Sequence, residues 1–162
     1  MKSFLRYLPF LLIASFYISA NADHHPVSKV SSLTVDGAKI IAAAAGAEAK
    51  ANDWNVVIAI CDAAGNLKYL ERMEGVQLGS LVIAQEKART AAIFRRPTKV
   101  FSERIADGAS ALMTIPNMIA LEGGLPITVD GQVIGGVGIS GVRSDQDAQI
   151  AQAGIDALLK KL

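Results

Sequence analysis

The spacing of apolar positions divides this chain into blocks of helical and of extended period. Ile40, Ile41, Ala44 and Ala47 recur at helical spacing behind Thr34, a capping residue, which predicts a helix through Ala38–Lys50 ended by Asn52-Asp53. Val56–Asp62 is a short, almost continuous apolar run, read as a strand covered on both faces. Ala63–Asn66 is turn material, and Leu67–Arg72 reads as the hairpin partner. A second helix is predicted over Leu78–Phe94, with Leu78, Leu81, Val82, Ala88 and Ala92 as its apolar positions and Pro97 as its stop. Thr98–Asp107 suits another short helix, whereas Ser110–Ile119 is broken by Pro116 and fits no single element. Glu122–Pro126 reads as a tight loop, and Ile127–Ile134 as a hairpin turning at Asp130-Gly131. Gly135–Gly141 continues its second strand, and Asp145–Lys160 is the final helix, with Ile150, Ala153, Ile155 and Leu158 toward the core.

Two hairpins separated by helices predict an α+β domain built on a mainly antiparallel sheet. The strand–helix–strand crossovers of a dinucleotide-binding fold are absent from this order. The first 22 of the 162 residues have a different character. Lys2 and Arg6 precede the apolar stretch Leu8–Ala20, and Ala20-Asn-Ala22 is a small-residue cleavage pattern, so residues 1–22 read as a secretory signal. A polar leader, 23–32, then joins a single domain, 33–162, and the expected location is periplasmic or secreted. Loss of residues 1–22 would remove two cations and change the formal net charge from +1 to −1. A near-neutral chain with few aromatic residues has no electrostatic drive toward nucleic acid. No other apolar run is long enough for a membrane span. Cys61 is the only cysteine, which excludes an intramolecular disulfide and a thiol-ligated zinc knuckle.

The candidate chemistry is spread thinly. Gly135-Gly-Val-Gly-Ile-Ser-Gly141 has neither the dinucleotide fingerprint nor a phosphate-loop ending, so its glycines serve either close packing or a backbone-lined ligand wall. Ser140 lacks the second glycine of a nucleophile elbow, because Val142 stands there. A helix starting near Ser144 would place amide donors beside the glycine strand, and Arg143 could add a bidentate contact to a carboxylate. Asp147 lies in the first turn of that helix. Glu86, Lys87 and Thr90 could give one polar patch on an otherwise packed face of the second helix, suited to an anion or, as the alternative, to a solvent-facing Glu/Lys pair. Arg89, Arg95 and Arg96 make a small basic cluster for an anionic ligand or a partner chain. His24 and His25 are the only histidines and the only candidate metal or haem-iron ligands of that type; Cys61 reads as a buried small hydrophobe.

Several segments together are family marks: Val57-Ile-Ala-Ile-Cys-Asp-Ala-Ala-Gly65, Glu71-Arg-Met73, Ala84-Gln-Glu-Lys-Ala-Arg-Thr-Ala-Ala92, Gly123-Gly-Leu-Pro-Ile127, Asp130–Gly141 and Gln146-Asp147. With Leu33-Thr34 they make residues 33–160 resemble the GlcG/HbpS-like family of haem-binding and haem-degrading-type domains, to which the carboxy-terminal domain of PduO-type adenosyltransferases is related. The resemblance implies a five-stranded antiparallel sheet with flanking helices, profilin-like, and assembly as a homo-oligomer. It places Arg72, Lys87, Thr90, Gly136, Gly138, Ser140 and Asp147 around a cleft, to which the residue reading adds Arg143. The ligand implied is haem or another small anionic or amphipathic molecule, with a sensor or enzyme as a further partner. The competing readings are a small-acid-processing enzyme or accessory subunit using Lys87, Arg72 and Asp147, and a structural or interaction subunit.

Overall fold

The computed structural model describes residues 30–162. Residues 1–22, read above as a signal, and most of the expected leader, His24 and His25 included, lie outside the described residues. The elements are α1 (Val35–Ala51), β1 (Val57–Asp62), β2 (Leu67–Arg72), α2 (Ser80–Phe94), α3 (Lys99–Ala106), a 3-10 turn (Ser110–Thr114), β3 (Gly124–Val129), β4 (Gln132–Ser140) and α4 (Ser144–Leu159). Thr34 caps α1 as expected, its hydroxyl accepting from the Gly37 amide at 3.0 Å. Asp130 and Gly131 turn the β3–β4 hairpin with φ of 48° and 76°, the left-handed pair that a two-residue hairpin loop requires.

The strands form one antiparallel sheet in the order β2-β1-β4-β3. Among the described residues the sheet has four strands, not the five implied by the family resemblance. The stretch between α3 and β3 carries Gly108, Pro116 and a left-handed Asn117, and folds as a 3-10 turn and loop instead of a strand. The loop expected over Glu122–Pro126 is also shorter than predicted, because β3 begins at Gly124. Pro126 is tolerated there since β3 is an edge strand and needs no donor on its open side.

Helices cover both faces. Ile58 and Ile60 of β1 and Val137 and Ile139 of β4 pack with Ile41 of α1 and Ile150 of α4. On the other face Val57, Ala59 and Cys61 of β1 meet Ala84, Ala88 and Ala92 of α2. Double coverage is why Val57–Cys61 shows no polar alternation: every one of its side chains is buried. On β4 the same period of two sets large residues against α1 and α4, and Gly136 and Gly138 against α2. A methyl group at Gly138 would collide with the Ala84 carbonyl and the Ala88 nitrogen, and one at Gly136 with the Ala88 carbonyl. These glycines bring helix backbone onto strand backbone.

Gly138→Ala is therefore expected to cost about 3 kcal/mol, because the atom it meets is backbone and cannot rotate away. Urea unfolding should show a lowered midpoint at unchanged slope; an unchanged midpoint would contradict this close approach.

Candidate functional site

Lys87 leaves α2 on the side facing β3, where it meets Asp147 from the first turn of α4. The ammonium donates to Asp147 Oδ2 at 2.7 Å and to the Ile139 carbonyl at 2.9 Å, and both side chains are only 2% exposed. Asp147 Oδ1 accepts from the Val142 amide at 3.3 Å. Gly123 closes over the pair: a methyl group there would stand 2.6 Å from Asp147 Cβ and 2.7 Å from Lys87 Nζ, at a φ of +116° that other residues rarely adopt. The Gly123 carbonyl also accepts from the Ile139 amide at 3.0 Å. Burial pushes the Asp147 carboxyl above its ordinary value, against the opposing pull of the Lys87 ammonium. Such a pair contributes little net stability, yet removing one member leaves a buried charge alone.

The other candidate residues take separate positions. Thr90 is buried one turn beyond Lys87, where its hydroxyl accepts from the Ile119 amide at 3.0 Å and holds the loop before β3. Gly136 and Gly138 lie under α2, and Ser140 shares a 3.1 Å hydrogen bond with Ser80. Arg72 is exposed at the end of β2, the edge strand opposite β3. The reading that needs Arg72, Lys87 and Asp147 in one cleft does not find them together. Arg143 is exposed and forks onto Asp145 at 2.8 and 3.1 Å, while Gln146 Oε1 accepts from the Arg143 amide. The cation foreseen for an external anion is thus taken by Asp145, and the Val142 and Arg143 amides just ahead of α4 are taken by Asp147 and Gln146. The Cys61 thiol, buried in β1, is pushed up to about 12 by desolvation, so it is neither a nucleophile nor a ready metal ligand. Among the described residues, no group of three or more His, Cys, Asp or Glu side chains could hold a metal ion, and no helix is long and apolar enough to cross a membrane.

An open groove of about 810 Å³ lies at the opposite end of the sheet. Val30, Ser31 and Ser32 form one side, Ala63 and Ala64 of the β1–β2 turn another, and Ile134 and Thr128 the floor by β3 and β4. Arg95 borders it, held at the end of α2 in the left-handed region with φ 55°. The sequence marks Arg95 only as one of three clustered arginines. Its placement depends on α2 ending over the hairpin turns, which no local pattern encodes. Gly123 was legible only as part of a loop and of a family mark, and Ser80 carried no signal.

Two outcomes are expected. Lys87→Met should cost about 3–5 kcal/mol in urea unfolding, and adding Asp147→Leu should recover most of it, because the lone buried carboxylate is then gone. Recovery failing in a folded double variant would contradict the pairing. The Arg143 guanidinium holds the Asp145 carboxyl down to about 2. A depressed folded value means its contribution is full above the ordinary carboxylate range and is lost as pH falls toward 2. In Arg143→Ala the Asp145 titration, followed by carboxyl carbon NMR, should return to the ordinary range.

Comparison with known proteins matches this architecture to a named group. The family model described as "Haem degrading protein HbpS-like" matches residues 33–156. Protein GlcG of Escherichia coli strain K12 is 48% identical over 103 residues, covering 64% of this chain and 77% of its own. A crystal structure of HbpS superposes with a TM-score of 0.77 at 33% identity, over 82% of this chain and 94% of the other. A crystal structure of a PduOC–haem complex gives a TM-score of 0.72 at 30% identity, over 78% and 95% of the two chains. From the sheet order to the glycine strand under α2, the chain belongs to the HbpS-like family.

Proposed function

We propose that this protein is an exported, homo-oligomeric haem-binding protein. The observation that carries the reading is the match of its fold, over 78% of the chain, to a structure solved as a haem complex. The family description points to the same cofactor. Export is supported by the signal-like residues 1–22.

The described residues supply part of what haem needs. The groove beside Arg95 has apolar walls in Val30, Ala63 and Ile134, hydroxyls at Ser31, Ser32 and Thr128, and one guanidinium suited to a propionate. Lys87 and Arg143 are committed to Asp147 and Asp145, so Arg95 is the better partner for a haem carboxylate. Iron ligation has no histidine among the described residues. His24 and His25 lie six and five positions before Val30, and an extended chain spans about 3.3–3.6 Å per residue, so they are within reach of the groove. Bound haem would supply ligand-exchange and redox chemistry at its iron. The chain's own part is to clamp the carboxylates, cover an apolar face and control access.

Haemin titrated into the purified protein without residues 1–22 should give a saturable Soret shift. His24→Ala with His25→Ala should change the position of that band, and Arg95→Ala should weaken binding about tenfold, the loss of roughly one charge-assisted hydrogen bond. A linear, unsaturable absorbance response in the parent protein would overturn the proposal.

A further inference from the structure

The outer flank of α2 is left uncovered in the single chain. Ala84, Ala88 and Ala92 face the sheet, and Lys87 and Thr90 turn toward β3. Leu78, just before α2, and Val82, Glu86, Arg89 and Ile93 recur at intervals of four, four, three and four, which makes one stripe on the remaining side. The contact of Gly65 with Arg89 and Ile93 places that side over the β1–β2 turn. Leu78 is 75% exposed and Val82 62%, and Ile93 is exposed as well. β2 runs beneath as an open edge strand. Its residues that pair with the α2-facing side of β1, Leu67, Leu70 and, at the far end, Arg72, are also exposed. Helix flank and strand face thus form a step carrying five large apolar side chains. Exposed apolar surface of this kind marks an interaction site more often than a solvated one.

Charge identifies the occupant. Glu86 and Arg89 stand in the stripe and take part in none of the ion pairs or side-chain hydrogen bonds among the described residues. One anion and one cation in the same apolar stripe do not select a uniformly charged partner. They are self-complementary. When two copies of α2 lie antiparallel about a two-fold axis centred between Lys87 and Ala88, Glu86 of one faces Arg89 of the other, and the reverse. The same register sets Val82 against Ile93 twice and carries Leu78 toward the turn end of the other copy, where Leu67 stands. A two-fold contact needs a surface that complements itself in this way.

We propose that this step is the contact surface for a second copy of the chain, with the α2 helices antiparallel and Glu86 paired with Arg89 across the axis. This deepens the oligomeric part of the proposed function by naming the surface, and it does not depend on haem.

Size-exclusion chromatography with light scattering on the protein without residues 1–22 tests it. The parent should run at twice the chain mass or an even multiple. Val82→Glu with Leu78→Glu should halve that mass or lower it further at unchanged far-ultraviolet circular dichroism, since both positions are exposed. Glu86→Arg alone and Arg89→Glu alone should each weaken assembly by about tenfold, the loss of two exposed pairs, each worth up to about 1 kcal/mol. Together they should restore assembly, because the swapped charges again face each other. A monomeric parent, an unchanged mass in the Leu78/Val82 variant, or no rescue in the double charge swap would overturn the proposal. A haemin titration run on the same samples keeps the two readings apart. A monomeric parent that still saturates with haem overturns the oligomeric part of the reading together with the surface. An oligomeric parent whose mass the Leu78/Val82 variant leaves unchanged overturns the surface alone, and assembly without haem binding overturns the haem reading alone.

Discussion

The contact between Lys87 and Asp147 joins the helix layers on the two faces of the sheet. α2 lies on one face of the sheet and α4 on the other, and the ion pair passes between them at the end where Ile139 turns its carbonyl inward. Taking both charges out of water is costly unless each keeps its partners, so the surroundings are constrained. The Ile139 carbonyl, the Val142 amide and the covering backbone at Gly123 all have to be in place. That requirement sets the start of β3, the turn after β4 and the first turn of α4 relative to α2. The pair therefore specifies how the layers are registered more than it adds to their stability.

Close packing imposes the second constraint. The glycines of β4 and the alanines of α2 let helix and strand backbones approach, and the loose side-chain volume of a usual helix–sheet interface is absent. A helix seated this deeply on β1 and β4 has its large residues displaced to its flank. Leu78, Val82 and Ile93 are exposed for the same reason that Ala84 and Ala88 are buried. Thus one feature, the small-residue seam, both fixes the core on the α2 face and leaves an apolar step at the β2 edge.

Where periodicity is local, the elements were readable from the chain. Thr34 caps α1, Asp130-Gly131 turns the second hairpin, and α2 stops before Pro97, each because a short-range rule acts on neighbouring residues. The element order also reads as two hairpins, four strands, and the structure agrees; the fifth strand came only from family likeness. The start of β3 was misplaced because Gly123, Gly124 and Pro126 carry a loop signature, and an edge position excuses it. The candidate site was less legible. Lys87 and Asp147 each appeared as polar residues able to meet an external anion, but they are 60 positions apart and meet each other. Arg143 was likewise read as open to a ligand when its neighbour Asp145 already engages it.

By itself, then, the sequence determined the element order, the antiparallel hairpins, the doubly covered first strand and the family, since these rest on spacing, turn chemistry and residue pattern. Only the tertiary structure decided what the polar residues do. Whether a buried cation waits for a ligand or is neutralised from within depends on which carboxylate lies within about 3 Å, and electrostatics in a low-dielectric interior changes steeply over that range. Such distances come from the packing of whole layers, and no local pattern in the chain encodes them.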